Sequence, residues 1–275
     1  MIEIPEAIIL SRQLNRTIKG KQIKNVVTEA SPHKFAWFYG EPSEYDSLLR
    51  GQTIGDATPY AGRIEIVVGN AMLSFADGVI LRYCESVENL PAKHQLLVTF
   101  TDDTALTGSI AMYGGLWAYP EGAMDDEPYF QAAKNAVPPL SDKFNYNFFL
   151  TLFNEKSAKM SAKAFLATEQ RIPGLGNGVL QDILLNAGIH PRKKMNTLSG
   201  EQQRRVFDSI KKSLKEMTDK GGRDTERDLY GKRGGYETKL SKTNKLLICP
   251  DCGGSVKKEL YMGGSIYFCE VCQEK

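Results

Sequence analysis

Residues 170–191 read QRIPGLGNGVLQDILLNAGIHP. A helical apolar pattern runs over about Val179 to Ala187, and Pro173-Gly174-Leu175-Gly176-Asn177 joins it to the segment before. Glycines permit a tight turn and close approach of backbone to a ligand. The free N–H groups at the start of the following helix can hold a phosphate. Taken alone, such a turn is most simply a connector between helices. Lys159 and Lys163 lie four apart in an expected helix over 157–170, so they share one face and can reach the same phosphate backbone.

Working outward, further helical patterns cover 145–152 and 199–219, the latter opened by Ser199 and Gln202 at capping-box spacing. Residues 220–245 carry much Gly and charge without a period. They predict a loop, mobile or ordered by a ligand. The tail, CPDCGGSVKKELYMGGSIYFCEVCQ over 249–273, pairs Cys249 and Cys252 with Cys269 and Cys272 across sixteen residues. Two C-x2-C turns brought together by a β-hairpin (strands 256–261 and 266–268) supply the four thiolates that one structural Zn2+ per chain prefers. A full set leaves no open position for catalysis. Lys257 and Lys258 on that hairpin are available to phosphate or to solvent.

Upstream the pattern changes. A helix is expected over 6–17. Short runs at 63–68, 71–75, 79–83, 95–100 and 105–110, punctuated at Gly69-Asn70, Asp77-Gly78 and Asp102-Asp103, predict an antiparallel sandwich or barrel. Cys84, alone in a strand pattern, reads as a small buried hydrophobe. Acidic, proline-bearing residues 120–142 mark a boundary. The fold class is therefore α+β: residues 1–140 form an N-terminal helix with a β-sandwich, 141–245 a helical domain with a loop, and 246–275 a zinc-ribbon finger.

Composition narrows the class. With 275 residues, 41% hydrophobic and 25% charged, the chain can bury real cores, which excludes disordered and collagen-like classes. No 18-residue apolar run exists, and Glu3 and Glu6 stand where a signal peptide needs positive charge, so a soluble, cytoplasmic protein is expected. The net charge of +2 conceals an asymmetry: residues 1–140 hold 11 Lys+Arg against 17 Asp+Glu, and residues 141–275 hold 24 against 16, or −6 and +8. The basic half suits a polyanion, or solvated helix faces.

The order of these features resembles the formamidopyrimidine-DNA glycosylase and endonuclease VIII family over nearly the whole chain. The matching residues are Glu3, Pro5 and Glu6 at the tip, a β-domain, Gly174, Gly176, Asn177, Gly188, Ile189, His190 and Pro191 at a helix-two-turns-helix, and the four-cysteine finger. The resemblance implies that Lys163 and Asn177 hold DNA phosphates and that the finger joins the DNA surface. It implies excision of oxidised bases and β-elimination at the abasic product through an imine on an N-terminal amine. The base must leave the duplex for this chemistry, and bending toward a basic cleft eases it.

Three positions depart from the family pattern. Ile2 stands where the family has its proline nucleophile; bulky Ile2 disfavours removal of Met1, so the available amine belongs to Met1. Gly62 stands at the family's lysine, beside Arg63, which can replace its charge but not a lysine's proton chemistry. Gly264 stands at the family's finger arginine. Met112, Tyr113 and Trp117 lie where residues fill the gap of a flipped base, and read equally as core or turn. Two functions follow. One is a glycosylase and abasic lyase in base-excision repair, with Met1 as nucleophile and Glu3 or Glu6 as proton donor or stabiliser, unless these carboxylates only cap the helix. The other is a non-catalytic binder of damaged, abasic or bent DNA that uses Arg63, Lys159, Lys163, Gly174, Gly176, Asn177, Lys257 and Lys258. Either way the partner is double-stranded DNA, met by a monomer in the cytoplasm on the nucleoid.

Overall fold

The structure, a computed structural model, describes residues 1–242, 247–273 and 275. It divides into two compact units, Met1–Asn135 with Glu226–Gly234, and Ala136–Thr225 with Gly235–Lys275. The finger therefore belongs to the helical unit rather than standing as a third domain, and part of the expected 220–245 loop belongs to the first unit. The expected boundary at 245/246 lies outside the described residues.

In the first unit, α1 (Ile4–Thr17) buries Ala7, Leu10 and Leu14, the spacing of one helix face, against β3 (Ile54–Tyr60) and β4 (Arg63–Val68). The remaining strands are β1 (Ile23–Thr28), β2 (Ala36–Trp37), β5 (Ala71–Cys84), β6 (Leu96–Phe100) and β7 (Ala105–Pro120). The sheet order is β1-β6-β7-β5-β4-β3, antiparallel throughout, with β2 added in parallel to β7 at Gly114 and Gly115. Short α2 (Tyr45–Leu49) buries Tyr45 and Leu49 in the same core, and α3 (Pro128–Lys134) packs Phe130 on Trp117 and Tyr119.

The break expected at Asp77-Gly78 does not occur. β5 and β7 continue through this point, with Asp77 opposite Gly114 and Val79 opposite Ile110. One β5 residue, Gly78, thus faces three on β7, Ala111, Met112 and Tyr113, a bulge larger than the usual two against one. Asp77 takes the left-handed conformation there (φ 61°), which aspartate tolerates better than most residues. A Cβ at Gly78 would sit 2.5 Å from the Tyr113 carbonyl oxygen, so the bulge requires glycine beneath it.

In the second unit, α4 (Tyr146–Thr151), α5 (Glu155–Ala158), α6 (Asn177–Ala187) and α7 (Gly200–Asp219) pack around a Phe-rich core. The expected 157–170 helix is broken. Asn154 caps α5, Ser161 leaves to bridge Lys194, and the chain resumes as a π-helical turn at Ala164–Thr168. Lys159 and Lys163 consequently do not share a helix face. α6 starts at Asn177 with Gly176 as its cap and stops at left-handed Gly188 (φ 68°). Ser199 caps α7 with Gln202 as its reciprocal partner, worth about 1 kcal/mol. Strands β8 (Val256–Tyr261) and β9 (Gly264–Cys269) form the finger hairpin.

Within the loop after α7, described residues are anchored in both units. Leu229 is buried in the first unit's core, and Tyr236 and Leu240 in the second unit. The fully buried Asp182 of α6 accepts the backbone N–H groups of Lys239 (2.9 Å) and Leu240 (2.8 Å). Burial pushes its carboxyl up to about 6 in spite of these donors and Tyr236.

Candidate functional site

Two constellations carry chemistry, one in each unit. In the first unit the terminus is pinned at the bulge: the Ile2 N–H donates to the Asp77 carbonyl at 2.6 Å, and buried Ile2 anchors the tip. The Met1 amine, one residue before that anchor, is ion-paired to Glu226 Oε2 at 2.5 Å. Burial pushes the Asp77 carboxyl up, opposed by Arg63 and by the N-terminal amine. A cation, two carboxylates and a strained backbone thus converge on the chain end.

Glu3 and Glu6, both nominated for catalysis, are buried in a capping box at the start of α1. The Glu3 side chain accepts the Glu6 N–H, and Glu6 Oε2 accepts the Glu3 N–H at 3.3 Å. Both glutamates thus cap the helix, and since a carboxylate offers about four acceptor sites, one capping bond leaves each of them acceptor capacity near the terminus.

Arg63, expected at the DNA surface, is 2% exposed, and its guanidinium stacks over Phe130 (3.3 Å from its carbon to the ring centroid), Trp117 (4.7 Å) and Tyr129 (4.9 Å). It is an inward side chain of β4 set against the aromatic wall of β7 and α3. Its charge is offset by nearby Glu65 and by Tyr129, while burial lowers its pKa. Trp117 is part of this wall and is core, whereas Met112 and Tyr113 project from the bulge, 64% and 36% exposed.

In the second unit Lys163 is only 2% exposed. Its ammonium donates to the carbonyls of Tyr261 (2.5 Å) and Gly264 (3.4 Å) at the finger turn, and burial pulls its pKa down. Asn177 Nδ2 donates to Ser265 O at 2.9 Å; Gln181 Nε2 donates to the same oxygen at 3.2 Å, and Gln181 Oε1 accepts the Tyr267 N–H at 3.0 Å. A Cβ at Gly264 would lie 3.3 Å from Lys163 Nζ, so glycine here lets the lysine reach the turn. Gly174 (φ 78°) and Gly176 shape the approach to α6, and His190 packs against Phe268 with ring centroids 4.3 Å apart. Lys159 is exposed, and Lys257 and Lys258 are exposed on β8. Lys257 is matched by Glu270 at 2.8 Å, and Lys258 lies over Tyr267.

The four thiols Cys249, Cys252, Cys269 and Cys272 lie within 4.8 Å of one another, with Sγ pairs at 3.8 and 3.5 Å. A tetrahedron with metal–sulfur bonds of ~2.3 Å has edges of about 3.8 Å, so this set could hold one metal ion. Cys84 is buried among apolar neighbours. Among the described residues no helix is long and apolar enough to cross a membrane.

Sequence reasoning missed Glu226, Asp77 and Gln181. Glu226 and Asp77 gain meaning only from contacts far along the chain. Gln181 carried a signal, a polar residue on the apolar face of α6.

Comparison with known proteins agrees in extent. The model of the formamidopyrimidine-DNA glycosylase H2TH domain matches residues 136–227. The formamidopyrimidine-DNA glycosylase of Cytobacillus firmus is 26% identical over 290 residues, covering 99% of this chain and 100% of the relative. That of Brevibacillus brevis is 29% identical over 283 residues, covering 100% and 99%. Among solved structures, a Lactococcus lactis Fpg complex with DNA containing an abasic site superposes with a TM-score of 0.80 at 24% identity, covering 99% of this chain and 100% of that one. At that identity the likeness shows the fold.

Proposed function

We infer that the chain is a member of the formamidopyrimidine-DNA glycosylase and endonuclease VIII family and that it acts on damaged double-stranded DNA in base-excision repair, as a monomer in the cytoplasm. The observation that carries the chemical part is the terminus itself. A primary amine is held at a fixed point by the Ile2–Asp77 bridge, with the capping Glu3 two residues away.

At an abasic site the ring-opened sugar presents an aldehyde at C1′. The Met1 nitrogen adds to C1′, water leaves, and an imine forms. Loss of a C2′ proton then expels the 3′-phosphate by β-elimination. Glu3 serves as the nearby proton carrier. Before it adds, the terminal ammonium leaves Glu226 and gives up a proton to solvent, because a protonated nitrogen has no lone pair to give. The Met1 position differs by one residue from the family's proline, and the bridge at Ile2 sets where along the tip the amine is presented.

The second unit supplies affinity. Lys163 and Asn177 serve the phosphate backbone together with the N-terminus of α6, and Lys159, Lys257 and Lys258 add exposed charge. Zn2+ is the ion that the four-thiolate set fits; when bound it is structural, cross-linking the two ends of the hairpin whose turn receives Lys163 and Asn177.

Borohydride trapping on DNA with one abasic site tests this reading. A covalent adduct mapped to Met1, abolished by acetylating the terminus, is expected. Tight abasic-site binding with no adduct replaces lyase chemistry with the non-catalytic binder.

A further inference from the structure

The outward face of residues 35–39 has no role in the function above. In this stretch Ala36 and Phe38 pack on the sheet core, while Phe35, Trp37 and Tyr39 alternate outward, each more than a third exposed. That alternation is set by β2, whose two residues pair with Gly114 and Gly115 of β7. The pairing brings Trp37 beside the bulge residue Tyr113, with ring centroids 5.4 Å apart and planes 34° from parallel. Two large rings, tilted together and open to solvent, form a step.

The position of the step connects it to the chain end. Asp77 is opposite Gly114, the neighbour of Tyr113, and its carbonyl holds Ile2. The Tyr113 hydroxyl is within electrostatic reach of Asp77 and Glu3. Bulges beside active sites redirect side chains, and this one turns Met112 and Tyr113 out where the terminus is anchored.

Charge decides the occupant. Asp77 and Glu3 lie on the Tyr113 side of the step and Lys34 lies over Phe35 at its other end, so the ring pair itself offers a phosphate chain no cation. A ring face needs no opposite charge; it attracts another flat π-system, and base–aromatic stacking tolerates any base. A nucleobase still paired inside a duplex presents no free face.

We propose that Trp37, paired with Tyr113, is a stacking platform for one unpaired nucleobase of damaged DNA. The proposal rests on the DNA reading above and adds to it a binding residue, Trp37, on an added strand. The platform gives preference for duplexes with an unstacked base over intact duplexes, independently of phosphate contacts.

Tryptophan emission tests it, because the two tryptophans differ: Trp37 is 44% exposed and Trp117 9%. Titrating the full chain with an abasic-site duplex is expected to quench the solvent-exposed emission, and an intact duplex of the same sequence to quench it less. In Trp37→Phe the quench disappears while affinity stays close to that of the parent, since a ring remains. Trp37→Ala is expected to bind the abasic duplex roughly tenfold more weakly with intact-duplex affinity unchanged. Unchanged emission on a bound abasic duplex, with Trp37→Ala at parental affinity, overturns the platform alone. Equal losses for both duplexes together with a lowered melting temperature assign Trp37 a packing role and also overturn it. A parent chain that binds neither duplex overturns the DNA reading itself.

Discussion

Two amines, Lys163 in the helical unit and Met1 in the sheet unit, show opposite ways of holding a cation in reserve. The lysine is bonded by neutral backbone carbonyls of the finger turn, so no opposite charge is set against its own. The terminal amine is bonded by a carboxylate, so its charge faces an opposite one. On the proposed function the first arrangement prepares a binding group and the second restrains a reacting one. Affinity and chemistry would then be governed by separate contacts, one ultimately by the cysteine cluster and the other by Glu226.

That contrast can be broken at three depths. The largest effect is expected from stripping the metal with a chelator or from Cys249→Ser. Without the cross-link the hairpin no longer positions the oxygens that receive Lys163 and Asn177. Because structural zinc supplies folding energy outright, DNA affinity should fall at least 100-fold along with zinc content, read by titration and metal analysis. Next, Lys163→Met and Asn177→Ala should each weaken DNA binding about tenfold whatever the sequence. Lys163→Met should also reduce the slope of log affinity against log salt by about 1; unchanged affinity in both would remove the helix-two-turns-helix from the interface. The smallest effect belongs to Glu226→Gln. A partly exposed ion pair is worth up to about 1 kcal/mol, so borohydride trapping should rise roughly fivefold with DNA affinity unaltered. A fall instead would make Glu226 a proton carrier rather than a restraint.

How far the residues foretold this arrangement depends on the reach of the interaction. The cysteine pairs, the Ser199 cap and the strands 63–68 and 256–261 are local chemistry, written in residues within a few positions of each other, and they stand where expected. The glycine-rich approach to α6 was legible for the same reason. Asp77-Gly78 misled because its turn-forming residues also suit a bulge, and only the opposing strand decides between the two. Arg63 misled because a charged residue beside a turn reads as exposed, whereas aromatic rings from three later positions enclose it. The broken helix at 157–170 has no proline or glycine to announce it; a bridge from Ser161 to Lys194 breaks it.

The return of Glu226–Gly234 to the sheet unit has a consequence for synthesis on the ribosome. Met1 emerges first, and the residue that pairs with its amine follows 225 positions later. The sheet unit cannot bury Leu229 or complete itself until α7 has been made, although domains generally fold in the order of their synthesis. The sheet unit is therefore closed by a segment that lies beyond the whole of α7 in the chain, so its last core contact depends on residues made after most of the helical unit.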